Sequence, residues 1–433
     1  MKKDAKNFAR LSPTSPRQPR EVFWFFFSKK NYFLSYGEII VHLRLIMAAT
    51  ALFSCGASAG TVTVRSIGDL TAAIEGARPG DDIVLADGVY NVTRKLHAHA
   101  AGTASLPITV RAAHKLQAVI RSSAVIAIEV TAPYWHFSDL TISGVCADDT
   151  TCEHAFHIVG KASGFQLSGS RLTDFNAHVK VNANEAHDLP ADGVVADNEF
   201  FDSHPRHTGN PVAPVNIDDA IGWVVRGNYI HDFQKDGTGE GSYGAFVKGG
   251  SQAPVIEGNL VECSRNRPSL GQMVGLSFGA HGMDPKLCPP HWDAGIPCDP
   301  EVTGGIMRNN IVRQCNDDGI YLNKARDSKI LFNTLVGTGG IEFRFRSSTG
   351  VASGNLMTGV IRGTSGGTFE GHGNVTRLAS QQQVGLVRQT VVGPDPLVAT
   401  DYCGRARGDV LNVGALQISQ GVCPVFHWVG EKE

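Results

Sequence analysis

At 433 residues the chain is longer than an average domain, only 18% of it is charged, and glycine is abundant at 49. The net charge of −2 hides an asymmetry: residues 1–44 hold nine Lys/Arg and three Asp/Glu, and the remainder carries 30 basic against 38 acidic residues. An acidic body speaks against a nucleic-acid binder, whose affinity rests on neutralising phosphates. Many glycines with few aromatics suit short strands joined by tight turns.

Leu45 to Phe53 is a short apolar run, LIMAATALF, preceded by His42 and Arg44 and followed by Ala57-Ser58-Ala59. That is the pattern of a secretory signal peptide cleaved after Ala59, and the run is too short to span a bilayer. Leu52-Phe53-Ser54-Cys55 can also be read as a lipoprotein box, with Cys55 lipid-anchored. The segment before it is longer than an ordinary leader and reads as a start placed too far upstream, so residues 1–59 are set apart from the fold. The expected location is periplasmic or secreted. Eight cysteines then remain for an oxidising compartment. Their spacing suggests Cys146 with Cys152, Cys288 with Cys298 and Cys403 with Cys423, leaving Cys263 and Cys315, which close the similar segments NLVEC and NIVRQC.

The mature chain opens on a cap and first coils, residues 60–118. Ile67, Leu70 and Ile74 share one face of a short helix with Ser66 as N-cap, between strands at 62–65 and 83–85. Such a helix plugs the open end of a solenoid. From about residue 119 to 363 a loose repeat follows: FQLSGSRL, GVVADNEFF, WVVRGNYI, VIEGNLV, IMRNNIV, ILFNTLV, VASGNLM. The aligned turn residues are Ser170, Asn198, Asn228, Asn259, Asn310, Asn333 and Asn355. Asn tolerates a left-handed bend and can stack from coil to coil. The long step from Asn259 to Asn310 reads as an extra coil at VGLSFG followed by an excursion at 280–302. Residues 364–433 read as a C-terminal cap.

The excursion carries His281, His291 and Trp292. Long loops on a solenoid often line a binding groove, so Trp292 and His281 are candidate substrate contacts; Trp292 can equally anchor its own loop. The two histidines lack a diagnostic metal spacing, and no metal ligand is assigned. After it comes the most informative stretch, Cys315 to Arg346. Ile341, Phe343 and Phe345 alternate with Glu342, Arg344 and Arg346, and Ile320 and Leu322 alternate with Tyr321 and Asn323. Matching the inward sets needs a shift of 21 residues, which stacks Arg344 on Asn323 beside Lys324. Lysine and arginine then share one exposed face, where solvated charge is the commonest occupant of such positions.

GDDIVLADGVYNV followed by LPITVRA resembles the N-terminal signature of the chondroitinase-B-like and alginate-lyase family of right-handed parallel β-helices, and the resemblance runs through VGLSFG to about residue 360. It implies an all-β right-handed parallel β-helix. It also implies a catalytic lysine followed by a turn Asn, and an arginine in a Phe-Arg pair on the next coil. Lys324 and Arg344 match these, with Arg346 as the alternative because the spacing around Gly339-Gly340 differs by one residue. Family members resembling chondroitinase B hold calcium through an Asn and two Glu; here Asp317 falls near the first Glu, Gly319 at the second, and Gly271 or Gln272 at the Asn, an incomplete set.

Lyase chemistry on a uronate needs a base near the carbon-5 proton, positive charge on the carboxylate and a proton for the leaving oxygen. Lys324 would be the base if Arg326, Lys329 and Arg344 lower its proton affinity through like charge; Arg344 and Arg346 suit carboxylate stabilisation. Tyr321 and Asn323 are candidate substrate contacts. The partner expected is an anionic polysaccharide, for a monomeric protein. Two rivals stand beside this reading. Asp317-Asp318-Gly319 resembles the paired aspartates of polygalacturonase-type helices, with Asp218-Asp219 on an earlier coil, and points to inverting hydrolysis. The other is a carbohydrate-binding or envelope β-helix without a catalytic centre. A mannuronan epimerase shares the proton abstraction.

Overall fold

The apolar alternation of the repeats becomes three long parallel sheets, of twelve, ten and ten strands, wound so that each coil gives one strand to each sheet. The computed structural model describes residues 59–236, 241–265, 268–280, 282–378, 390–392 and 396–417. These belong to one compact unit, a right-handed parallel β-helix. Alternate side chains point inward and fill the tube. Trp135, Phe137, Phe156, Phe165 and Trp223 are all nearly inaccessible and pack ring against ring, with centroids 4.9 to 6.1 Å apart. Burying such large apolar surfaces is the main stabilising term.

The entrance is closed as expected. The helix Ile67–Glu75 is capped by Ser66, whose Oγ accepts from Asp69 N at 3.1 Å, and it sends Leu70 and Ile74 into the core. The first strands are Thr61–Val64 and Asp82–Leu85.

At the corner between the twelve-stranded sheet and the sheet that follows it in each coil, a column of asparagines runs down the helix. Each Nδ2 donates to the Oδ1 of the next: Asn198 to Asn228 (3.1 Å), Asn228 to Asn259 (3.0 Å), Asn259 to Asn310 (3.0 Å), Asn310 to Asn333 (3.0 Å) and Asn333 to Asn355 (3.0 Å), ending at Asn374 (2.9 Å). Ser170 N joins through Asn198 Oδ1. The left-handed residue is not the asparagine itself but the one before it: Asp197, Gly227, Gly258, Asn309, Phe332 and Gly354 all have positive φ. The asparagine is selected for its amide, which joins three coils, rather than for its backbone.

VGLSFG is not an extra coil. Met273–Phe278 is the ordinary third-sheet strand of the coil that contains Asn259, paired with Ser242–Lys248 on one side and Ile320–Asn323 on the other. The step from 259 to 310 is therefore one coil enlarged by its excursion. Cys146–Cys152 and Cys288–Cys298 pair as the spacing suggested, and Cys263–Cys315, which close the two similar segments, pair between neighbouring coils; Cys423 lies outside the described residues. So do residues 1–58, with the expected export signal and Cys55. Among the described residues no helix is long and apolar enough to cross a membrane. The segment 396–417 lies along the asparagine corner: Ala415 N donates to Thr334 Oγ1 (2.9 Å), Gly414 N to Gly354 O (2.7 Å) and Arg407 Nη2 to Asn309 Oδ1 (3.0 Å).

Truncating Asn310 to alanine strands the buried Asn259 N and Ile256 O that its amide serves. The expected loss is roughly 2–5 kcal/mol, read as a lower urea midpoint at unchanged slope. Asn374→Ala, at the last rung, should cost less.

Candidate active site

The third sheet of each coil carries the polar outward residues. Its register decides which of them meet. Asn323 pairs with Arg344 and Tyr321 with Glu342, the 21-residue shift read from the sequence. Continuing outward along the neighbouring strands, Asn216 lies between Lys180 and Phe246, and Asp218 beside Lys248. One row thus reads Lys180, Asn216, Phe246, Ser277, Tyr321, Glu342, Arg362. The next reads Asp218, Lys248, Gly279, Asn323, Arg344, Thr364. Neighbours within a row are about 4.8 Å apart.

This face is less open than the alternation implied. Tyr321 is 5% exposed and Asn323 2%, although both point outward. Tyr321 belongs to a separate apolar cluster with Tyr243, Phe246, Val274, Ala213 and Ala280, built on the outside of the sheet. Arg344 donates from Nη1 to the Tyr321 hydroxyl at 3.0 Å, and Asn323 Nδ2 approaches the same oxygen at 3.4 Å. The bond to Tyr321 raises the proton affinity of Arg344, and burial raises that of the Tyr321 hydroxyl against the pull of Arg344. Arg346 is exposed, beyond the end of the strand Gly340–Arg344. Of the two arginines, Arg344 is the one in register with the site.

Lys324 occupies the bend after Ile320–Asn323, in left-handed conformation (φ 57°). Its neighbourhood differs from the expected cluster of cations. Arg326 is exposed, and Lys329 lies on the twelve-stranded sheet and is also exposed. The residue beside Lys324 is instead Glu301, at the end of the excursion. Glu301 N donates to Lys324 O at 2.8 Å, while Glu301 O accepts from Gly250 N (2.7 Å) and Ser251 N (3.1 Å). A small three-stranded sheet, Ser251–Gln252, Val302–Thr303 and Ala325–Arg326, fixes these bends side by side. The excursion therefore brings the Glu301 backbone onto Lys324, with its carboxyl acting through space on Lys248 first and Lys324 next. Glu301 is 3% exposed; its Oε2 accepts from Ala280 N at 3.0 Å, and burial raises its pKa to about 7 against the pull of that N–H, Lys248 and Lys324. Glu301, Asn323, Lys324 and Phe345 line a cavity of about 170 Å³ beneath Met283, Pro285 and Pro297.

A second acidic group lies one strand further on. Lys180 Nζ donates to Asn216 Oδ1 at 2.9 Å and forms an ion pair with Asp218. Asp219, 2% exposed and left-handed (φ 51°), follows; burial first, and the neighbouring Asp218 second, push its carboxyl up to about 8. Lys248 is 7% exposed, with Nζ 5.0 Å from the Phe246 ring centre. The sequence reading singled out Asp218-Asp219 but not Lys180, Lys248, Glu301 or Arg362. The only signal for Lys248 was its place one alternation after Phe246 in AFVKGG.

Asp317 and Asp318 are held apart from this chemistry. Gln272 Nε2 donates to Asp317, and Arg362 Nη2 binds Asp318 Oδ2 at 2.8 Å and lies 3.5 Å from Glu342 Oε2. Burial raises the Asp318 carboxyl while Arg362 opposes it. These pairings also decide the calcium question. Gln272 and Arg362 each take one carboxylate oxygen, Asp318 Oδ1 being left buried without a hydrogen bond, and Gly319 has no side chain, an added Cβ there meeting Leu335 at 3.2 Å. The residues present do not fit a calcium ion of the implied type. Trp292, half-buried, stacks on the exposed ring of His187 with centroids 4.2 Å apart and planes at 5°. It joins the excursion to the loop after Ala177–Asn182, so the loop-anchoring role is the one the structure displays. His281 lies outside the described residues. A larger hollow of about 530 Å³, lined by Asp327, Lys329, Val351 and Glu370, lies on the twelve-stranded sheet, away from these groups.

No family model and no curated protein matches the sequence. Solved structures do match in fold. Pectate lyase Pel9A superposes with a TM-score of 0.56 at 13% identity, covering 83% of this chain and 97% of its own. A rhamnogalacturonan lyase gives 0.50 at 16% identity, covering 82% and 97%. An alginate lyase from Paenibacillus sp. str. FPU-7 gives 0.43 at 18%, covering 74% and 96%. At these identities the first two likenesses show a shared parallel β-helix.

Both raised carboxyls have a consequence for stability. Asp219 and Glu301 keep their protons in the folded protein at pH values where the unfolded chain has lost them. Their contribution is therefore complete below about pH 4 and is lost as pH rises through about 7 for Glu301 and about 8 for Asp219. The thermal midpoint should fall between about pH 5 and 9, and Glu301→Gln or Asp219→Asn should flatten that fall. A midpoint that rises over this range in the native protein contradicts the assignment.

Proposed function

We propose that the chain is a secreted or periplasmic polysaccharide lyase that cleaves a uronate-containing glycan by β-elimination on the outward face of the third sheet. The observation that carries this reading is the Lys324–Arg344–Tyr321 group. A lysine sits at a bend beside Asn323, and Arg344, its ladder neighbour, is bonded to a phenol. Each requirement of the chemistry then has a residue. Lys324 takes the carbon-5 proton. Arg344, which stays charged at any working pH, faces the carboxylate whose negative charge spreads toward carbon 5 as the proton leaves. Tyr321, held by Arg344, gives its proton to the departing glycosidic oxygen. Asn323 orients the sugar.

Support comes from three sides. The fold is one that lyases use, the resemblance read in the sequence points to the same two residues, and three disulfides suit an oxidising compartment. Fold by itself does not assign activity. Hydrolysis through Asp317 and Asp318 is the weaker reading, because both carboxyls are engaged by Gln272 and Arg362.

The test is a screen of the protein from Gly60 onward against alginate, chondroitin, hyaluronan, heparin and pectate, following absorbance from unsaturated ends with and without chelator. One substrate should give a signal that persists in chelator. Lys324→Ala should reduce it by about 10²–10⁴-fold with the fold retained, and Arg344→Ala by about 10²–10³-fold. Reducing ends without absorbance would move the assignment to a hydrolase, and glycan retention without product to a binding protein.

A further inference from the structure

The carboxylate of a uronate must be neutralised for carbon 5 to become acidic, and a calcium ion of the expected type does not fit. The charged residues of the outward face therefore have to supply the charge, and most are already committed. Lys180 pairs with Asp218, and Arg362 with Asp318 and Glu342. Arg346 lies out in solvent. Lys324 is taken as the base, which leaves Arg344, bonded to the Tyr321 phenol, as one cation facing the carboxylate.

Lys248 is different. It ends the strand Ser242–Lys248, points outward, and is more than nine-tenths buried, yet among the described residues no carboxylate lies within 4.0 Å of its Nζ. Its ladder neighbour Asp218 turns away to Lys180. Glu301 and Asp219 reach it only through space, and Phe246 gives it an aromatic face at 5.0 Å. A largely buried ammonium without a directly bonded counter-ion costs stability. Such a group is retained where it meets a ligand of opposite charge. Between Lys248 and Asn323 the row holds Gly279, which cannot carry a side chain: at φ 78° an added Cβ would come 1.8 Å from Asn323 O. Nothing from that position separates Lys248 from the Asn323–Arg344 pair.

We propose that Lys248 is a second carboxylate-binding cation of this site, facing the uronate from the side of Gly279 opposite Asn323 and Arg344, and so selecting an acidic over a neutral sugar. This rests on the lyase reading for the reaction, while the binding role stands apart from it. Lys324 remains the base, and Lys248 holds the carboxylate in the ground state and as charge builds on it.

The experiment is calorimetric titration of the protein from Gly60 onward with trigalacturonate, trimannuronate, triguluronate and a chondroitin hexasaccharide, each beside its carboxyl-reduced form. Native protein, Lys248→Met and Lys248→Arg are compared. At least one acidic oligosaccharide should bind the native protein, about tenfold or more weaker to Lys248→Met, with Lys248→Arg recovering part of the loss. The carboxyl-reduced form should bind both equally weakly. Because methionine removes, at similar volume, a charge that has no directly bonded acid, the thermal midpoint should hold or rise. Equal affinity of native and Lys248→Met for the acidic sugar overturns the proposal, as do an equal loss for acidic and reduced sugars with a lowered midpoint and an absence of binding to every acidic sugar. Lysine-dependent binding without unsaturated product would keep this inference and remove the lyase reading.

Discussion

Coil-to-coil register is the constraint from which everything else follows. Each strand bonds only to the strand a coil above and a coil below, so a single slip would turn every inward side chain outward. The asparagine column prevents that slip, because each amide bridges its neighbours on both sides at one fixed corner. Once this corner is locked, the outward rows of the third sheet are locked too. That is how Arg344 comes to stand beside Asn323, and Asp218 beside Lys248, without any direct bond between their side chains being needed.

The outward face then shows a second, opposing constraint. Charged groups placed there are largely withdrawn from water, and the protein pairs most of them: Lys180 with Asp218, Arg362 with Asp318 and Glu342. What the pairing leaves over is informative. Glu301 and Asp219 are carboxyls pushed toward their neutral forms, and Lys248 is a largely buried cation with, among the described residues, no acid bonded directly to it. Departures from local stability rules of this kind gather at working sites.

Much of this was legible in the sequence, for physical reasons. A period of two and a repeated turn asparagine fix a solenoid and even its 21-residue shift between 323 and 344, and close cysteines can only pair locally. The misreadings are equally instructive. Asparagine at a bend suggested left-handed backbone, but Phe332 and Asp197, one residue earlier, take that conformation. Alternation correctly points Tyr321 and Asn323 outward, but it tells which way a side chain points and not what lies over it. Arg326 and Lys329 follow Lys324 and suggest cationic neighbours, yet a bend sends them elsewhere and the excursion brings in Glu301, 23 residues earlier in the chain. Contacts created by insertions leave no periodic trace, which hides Glu301; Lys248 lies in the regular alternation, and what that alternation does not show is that it is buried.

The most direct test of the central claim is mass spectrometry of the products released from the glycan that the native protein attacks. The account predicts new non-reducing ends that lack one water relative to a hydrolysis product, formed by the native chain and not by Lys324→Ala. Products that have gained a water, made equally well by Lys324→Ala, would contradict it.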